Sequence, residues 1–315
     1  MRKPAVAAVV FATLLAASCD SCKQTEAPRS PSMVAPPAAA APPPTTPSKL
    51  ALPNKLGSVK FAAIGDSGRG DKWQYEVAAQ MQAFRKTFPF DFVVMLGDNI
   101  YDGWSRNDYH LKFELPYKPL LDDKVTFHAT IGNHDDVNQP YYAPFNMGGQ
   151  RYYFFKPPSV VARVFGANVN FFMIDTERLD RAQLMWIDRE MATSPADWKI
   201  PVFHRPIYTS GRYALPAIRL RGLLEPLFIR NGVKVSFSGH EHFYERTKPR
   251  HGITYFVSGG AGSLRVGDIH LTDLTAVGFD KDYHFMLVEI DGDDLYFQAV
   301  SRTGLTIDSG VVHRK

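Results

Sequence analysis

The sequence predicts an α/β fold built from βαβ units, and three observations carry that prediction. Short apolar runs rich in β-branched and aromatic residues alternate with segments whose apolar residues recur at helical spacing. Several of these runs end in a glycine that lets the chain turn. Residues able to do chemistry follow the runs at once, where an open, largely parallel sheet presents its ligand-binding edge.

The run VKFAAIG (59–65) is a buried strand, and in the segment after it Trp73, Val77, Met81 and Phe84 share one helical face. FDFVVMLG (90–97), VTFHATIG (125–132) and NVNFFMID (168–175) are the next three strands. Asp180 reads as the N-cap of a helix running through Leu184 and Ile187. KIPVF (199–203) and VKVSFSG (233–239) are further strands, separated by a helical IRLRGLLEPLFIRNG. After residue 250 only strands and turns follow, and DGDD between two alternating runs signals a hairpin.

The first residues do not belong to this domain. Arg2 and Lys3 precede a 13-residue apolar run, Ala5 to Ala17, the length of a signal-peptide core and too short to span a bilayer. LLAASC then resembles a bacterial lipobox ending in Cys19, although Ala16 stands where a larger aliphatic residue is usual. The expected organisation is a signal peptide over 1–18, a lipidated-Cys start and Pro/Ala-rich disordered tether over 19–56, and a folded domain over 57–315. Nine of the 33 residues from Gln24 to Leu56 are Pro and seven are Ala, a composition that cannot offset its ordering entropy. Export to the periplasm or cell surface as a lipoprotein is expected, with simple secretion as the alternative. A membrane enters only through that anchor.

Both cysteines, Cys19 and Cys22, lie in or beside the leader, so the folded part has neither thiol chemistry nor a disulfide. The overall charge of +4 also belongs to the leader: residues 1–56 hold six basic and two acidic residues, leaving thirty of each in the domain. A neutral domain with no long basic run gives no sign of a nucleic-acid partner.

The strand ends carry the chemistry. Asp66 follows KFAAIG, Asp98 follows VVMLG, Asn133 and His134 follow TFHATIG, His204 follows IPVF, and His240 and His242 follow VSFSG. Each alone is an ordinary turn or loop residue; five such ends at one sheet edge are not an ordinary coincidence. Carboxylate, amide oxygen and imidazole suit hard or borderline cations. With Tyr101, seven side chains are available, too many for one zinc-like ion of about four ligands. If one carboxylate bridges, they supply four bonds to each of two ions, the arrangement that clamps a phosphoryl displacement.

These blocks, GDSG, GDNIY, GNHD, the His of FHRP and GHEH, resemble the five motif blocks of the purple acid phosphatases within the calcineurin-like metallophosphoesterases, and the resemblance covers essentially all of 57–315. It implies an αββα sandwich of two mixed sheets flanked by helices. It also implies a binuclear-metal phosphoesterase that hydrolyses phosphomonoesters by attack of a metal-bound hydroxide on phosphorus. Most metallophosphoesterases carry a histidine two residues after the first Asp; here that place is Gly68, and Tyr101 supplies the ligand that marks the purple branch. Carried over by motif, Asp66, Tyr101 and His242 would hold ferric iron. Asn133, His204 and His240 would hold a divalent ion (Fe, Zn or Mn), and Asp98 would bridge. His134 matches a family residue that contacts substrate. Where members often carry another histidine, nine residues after His204, this chain has Tyr213 beside Arg212, so both become candidate phosphate-binding residues. Two alternatives stay open: a phosphodiesterase or nucleotide hydrolase on the same centre, and a non-catalytic surface protein that keeps the fold.

Overall fold

The computed structural model describes residues 49–158 and 167–315. The leader (1–18), Cys19 and most of the tether lie outside the described residues. Two sheets form the domain. The first contains β1 (Val59–Ile64), β2 (Phe92–Met95), β3 (Thr126–Ala129), β11 (His284–Asp291), β12 (Asp294–Ser301) and β13 (Thr306–His313), in the order β13-β12-β11-β1-β2-β3. The second contains β4 (Tyr153–Phe155), β5 (Val169–Ile174), β6 (Trp198–Phe203), β7 (Val235–Ser238), β8 (Tyr244–Thr247), β9 (Thr254–Ser258) and β10 (Thr275–Phe279), in the order β10-β8-β9-β7-β6-β5-β4.

Both sheets are mixed. β1, β2 and β3 pair in parallel, as do β5, β6, β7 and β9, which is the βαβ core the alternation predicts. The late strands add antiparallel edges, and β11 returns to pair beside β1. DGDD is the predicted hairpin, closing on Asp291 opposite Asp294.

The two sheets pack face to face through aromatic rings. Phe61 of β1 meets Phe171 of β5 at 5.1 Å and Phe237 of β7 at 5.8 Å between centroids, both edge-on. The continuous apolar run of β5 follows from having two buried faces. Val169, Phe171 and Met173 enter the inter-sheet core, while Phe172 and Ile174 face a second core with the helices. Helices cover the outside: α1 (Lys72–Arg85) reaches the first sheet through Phe84 against Phe285, 6.1 Å between centroids. Between β2 and β3 lie two short helices, α2 (Arg106–Tyr109) and α3 (Lys118–Asp122). The helices α4 (Arg181–Thr193) and α5 (Ala214–Arg230) cover the second sheet with Ile187, Met191, Leu224 and Phe228. Asp180 caps α4 by accepting from the Gln183 N–H at 2.8 Å. No described helix is long and apolar enough to cross a membrane.

Residues 49–56, which composition places in the tether, are docked onto the first sheet. Leu52 is buried, the Ala51 N–H donates to Gln298 Oε1 at 2.8 Å, and the N–H groups of Asn54 and Lys55 both reach the buried Glu289 carboxylate at 2.6 Å. A carboxylate more than 200 residues away satisfies this stretch, a pairing that local composition does not encode.

Candidate metal centre

The parallel strands of both sheets end at one edge, where the candidate ligands meet. Asp66, Asp98 and His240 stand just past β1, β2 and β7 with φ of 55°, 51° and 69°. Left-handed backbone at a non-glycine residue costs roughly 1–3 kcal/mol and collects at functional sites. The glycines before them serve a second purpose beyond turning. A Cβ on Gly132 would lie 2.2 Å from Asp98 Oδ1, and one on Gly239 would lie 2.6 Å from Asp66 Oδ2. The strand ends converge too closely for any larger residue.

Seven side chains form two groups. In the first, Tyr101 Oη lies 3.1 Å from Asp66 Oδ1, 2.9 Å from Asp98 Oδ2 and 3.2 Å from His242 Nε2. His242 Nε2 is itself 3.2 Å from Asp66 Oδ1. In the second, His204 Nε2 lies 3.2 Å from Asn133 Oδ1, 3.1 Å from His240 Nδ1 and 3.4 Å from Asp98 Oδ1. Asp98 belongs to both, one oxygen in each.

Both groups fit a cation. His204 Nδ1 faces the Leu96 carbonyl at 2.9 Å, which only an N–H satisfies, so Nε2 is the nitrogen directed at the Asn133 and Asp98 oxygens and the one a cation between them would meet. In the first group one phenolic proton stands among two carboxylate oxygens and an imidazole nitrogen. Ligands about 2.1 Å from one ion at angles of 90–110° stand roughly 3.0–3.4 Å apart, which is the spacing seen in both groups. Burial would push the Asp66 carboxyl up, but the surrounding histidines 242, 204 and 240 outweigh it and hold it below the usual range. Burial, then the charges of Asp66 and Asp98, push the Tyr101 phenol far up, so a phenolate there requires a strongly acidic ion. Burial and His204 push His240 down to about 2, which keeps it a neutral ligand.

A family model described as calcineurin-like phosphoesterase matches residues 59–244, more than half the chain and all seven of these positions. The chain belongs to the calcineurin-like phosphoesterases. Among curated relatives, tartrate-resistant acid phosphatase type 5 of Sus scrofa is 24% identical over 272 residues, covering 71% of this chain and 79% of the relative. Two solved structures share the fold. GAP50, the anchor in the inner membrane complex of Plasmodium, has a TM-score of 0.71 at 21% identity over 83% of this chain and 90% of that one. Purple acid phosphatase PPD1 from yellow lupin (Lupinus luteus) seeds has a TM-score of 0.60 at 19% identity, over 83% of this chain and 55% of that one.

Gly68 stands where no side chain fits. A Cβ on Gly68 would lie 1.9 Å from the Asn99 carbonyl oxygen, because the chain from Asp98 to Tyr101 runs over it and the Tyr101 N–H donates to the Gly68 carbonyl at 2.9 Å. The path that delivers the tyrosine leaves no room for a side chain at position 68.

The remaining predicted residues separate. His134 stands exposed at the mouth, its ring 4.8 Å from that of Tyr101 and its N–H donating to Asp98 Oδ1 at 2.9 Å. Tyr213 lies against His240, 4.1 Å between ring centroids. Arg212 does not join the cluster; its half-exposed guanidinium pairs with Asp268 at 2.5 Å. Near His134, Trp104 is exposed and donates to the His134 carbonyl at 3.3 Å, whereas Tyr109 and Tyr142 pack on Phe145.

Four further residues shape the site without being candidate ligands, Asp135 and Glu241 from inside the GNHD and GHEH blocks and Arg69 and Arg205 from beside a block. Asp135 accepts from the N–H groups of Asn99, Ile100 and Gly132, tying the ends of β2 and β3 together. Glu241, pushed up to about 7 by burial, accepts from Thr209 and the Tyr213 N–H and so seats the loop that carries Tyr213. Arg69 lies over the Tyr101 ring, 3.6 Å from its centroid. Arg205 joins Glu177 to His240, with Nε 2.8 Å from Glu177 Oε1 and Nη1 3.0 Å from His240 Nε2. The adjacency of Arg69 to the first block and of Arg205 to His204 is the only available signal, since their partners come from other strands.

Proposed function

We propose that this phosphoesterase hydrolyses phosphomonoesters at a binuclear centre of purple acid phosphatase type. Asp66, Tyr101 and His242 would hold ferric iron, Asn133, His204 and His240 would hold a divalent iron, zinc or manganese ion, and Asp98 would serve both. The observation that supports this best is the division of Asp98, one oxygen toward the phenol of Tyr101 and the other toward His204. When bound, such a pair of ions lowers the pKa of water and neutralises charge on the phosphoryl group. The chain's own residues do the rest. His134 delivers a proton to the leaving oxygen from the exposed mouth, and the backbone N–H of His134 fixes the orientation of the Asp98 carboxylate. Export through the 1–18 leader completes this reading on its sequence pattern alone.

A second reading, a phosphodiesterase, draws on a separate cleft of about 210 Å³ beside Asn133, with Arg151 and Arg178 in its walls, that offers space for a second ester substituent. One experiment tests both. Metal-loaded protein is assayed on phenyl phosphate and bis-phenyl phosphate, with its visible spectrum recorded before and after replacement of Tyr101 by Phe. Preference for the monoester and an absorption band that Tyr101→Phe removes are expected. A diester preference would select the second reading, and fully metallated protein without a band would remove the ferric–tyrosinate assignment.

A further inference from the structure

A cleft of about 360 Å³ runs from His240 and Tyr213 along the first half of α5. Its two ends differ in chemistry. At the inner end stand His240, Tyr213 and Arg205, all within the metal centre or touching it. The outer wall is mainly apolar, formed by Leu179, Pro216, Leu220 and Leu223 with Arg219 among them, and Leu223 is 38% exposed with its face toward this space. Arg205 is held rather than free to swing. Its Nε is fixed by both oxygens of Glu177 at 2.8 and 2.9 Å, and its backbone N–H by Thr176 Oγ1 at 2.9 Å. Among the described residues its Nη2 makes no hydrogen bond, and the side chain is 30% exposed. A planar guanidinium anchored at one edge, with donors left over at the other, suits an anionic oxygen. The cleft size lies in the range of small-molecule sites, which pair apolar walls with a few placed polar groups.

Resting on the phosphomonoesterase reading, we propose that this cleft is the leaving-group subsite and that Arg205 binds a phosphate oxygen at its inner end. The enzyme then selects phosphomonoesters of aromatic or bulky apolar alcohols over those of small polar ones. The phosphoryl group sits at the cluster, and the ring or alkyl group lies against Leu220 and Leu223.

Binding of two hydrolysis-inert probes, 2-naphthylmethylphosphonate and methylphosphonate, to the metal-loaded full chain tests this by calorimetry, with 2-naphthyl and methyl phosphate hydrolysis followed in parallel. About a 10- to 100-fold tighter Kd for the naphthyl probe is expected from burial of its ring. Leu220→Glu is expected to collapse that preference. Met185→Glu, on the exposed face of α4 and outside the cleft, is expected to keep it. Arg205→Met, checked for unchanged metal content, is expected to weaken both probes by about 10-fold or more, since it removes a charged contact to the phosphonate they share. Equal affinities in the wild type, or a preference that survives Leu220→Glu, would overturn the subsite while leaving the phosphatase reading intact if both esters are hydrolysed. Naphthyl preference without hydrolysis of either ester would overturn the phosphatase reading and with it the leaving-group assignment.

Discussion

Asp98 is the residue on which both halves of the site depend. Its Oδ2 meets the Tyr101 phenol, its Oδ1 meets His204 and the His134 N–H, and its φ of 51° holds it in a backbone conformation that only a well-supported loop maintains. Truncation therefore removes one ligand from each half at once. Asp98→Ala is predicted to lose metal pairing and phosphatase activity together, activity falling on the order of 10²-fold or more, beyond the cost of losing an outer partner alone. Near-wild-type turnover at unchanged metal content would count against the shared carboxylate. The convergence of the seven candidate ligands was legible in the sequence because each follows a strand or shares its loop, so chain position reports spatial position. Arg205 and Glu177 were not, since their roles rest on a contact across 28 residues. Arg212 reads in sequence like a second cation for phosphate, yet Asp268, 56 residues on, holds it aside.

At the level of the elements, the glycine turns decide how closely the strand ends meet. Gly132→Ala would place a methyl group 2.2 Å from both the Asp98 N and Oδ1, so the loop after β3 must move away from β2. About a 10-fold or greater loss of metal affinity is predicted, read by competition with a chelator, since this shifts a ligand rather than removing it. Gly222→Ala is the counterpart: it lies inside α5 with nothing within 4 Å of the new methyl. There the helix gains about 0.5–1 kcal/mol, a Tm rise of a few degrees at unchanged activity. Periodicity located the central strands and helices, but not their limits. α5 begins at Ala214, four residues before the predicted IRLRGLLEP segment, because Pro216 in its first turn is compatible with a helix start and masks it in the sequence. That unmarked turn supplies part of the cleft wall. The antiparallel strands β8 and β10 went unread because YERT and TAVGF are short and neither is a continuous apolar run.

Across the whole molecule, two mixed sheets bring together strand ends that lie as far apart in sequence as residues 66 and 242, and the inter-sheet core that aligns them sets the stability of the site. A fully buried, acid-sensitive group lies beside that core. His284 is fully buried against Gly260, and burial pushes it down to about 4. The unfolded chain, with an ordinary value near 6.5, binds more protons between those limits, so stability falls as pH falls from about 6.5 to 4 and no penalty exists above that window. The cost reaches on the order of 3 kcal/mol, and the difference in unfolding free energy between metal-free wild type and His284→Leu should change by that amount across the window; a constant difference would contradict it. The pairing of two sheets was legible only through the family resemblance, because strand order across a sandwich leaves no periodic trace in the chain. The most direct test of the account is metal stoichiometry, by elemental analysis of full-length protein purified without chelators. Two ions per chain, falling to one or none in Asp98→Ala, is the predicted result. A single ion per chain that no further addition of iron, zinc or manganese raises would contradict a shared carboxylate serving two half-sites.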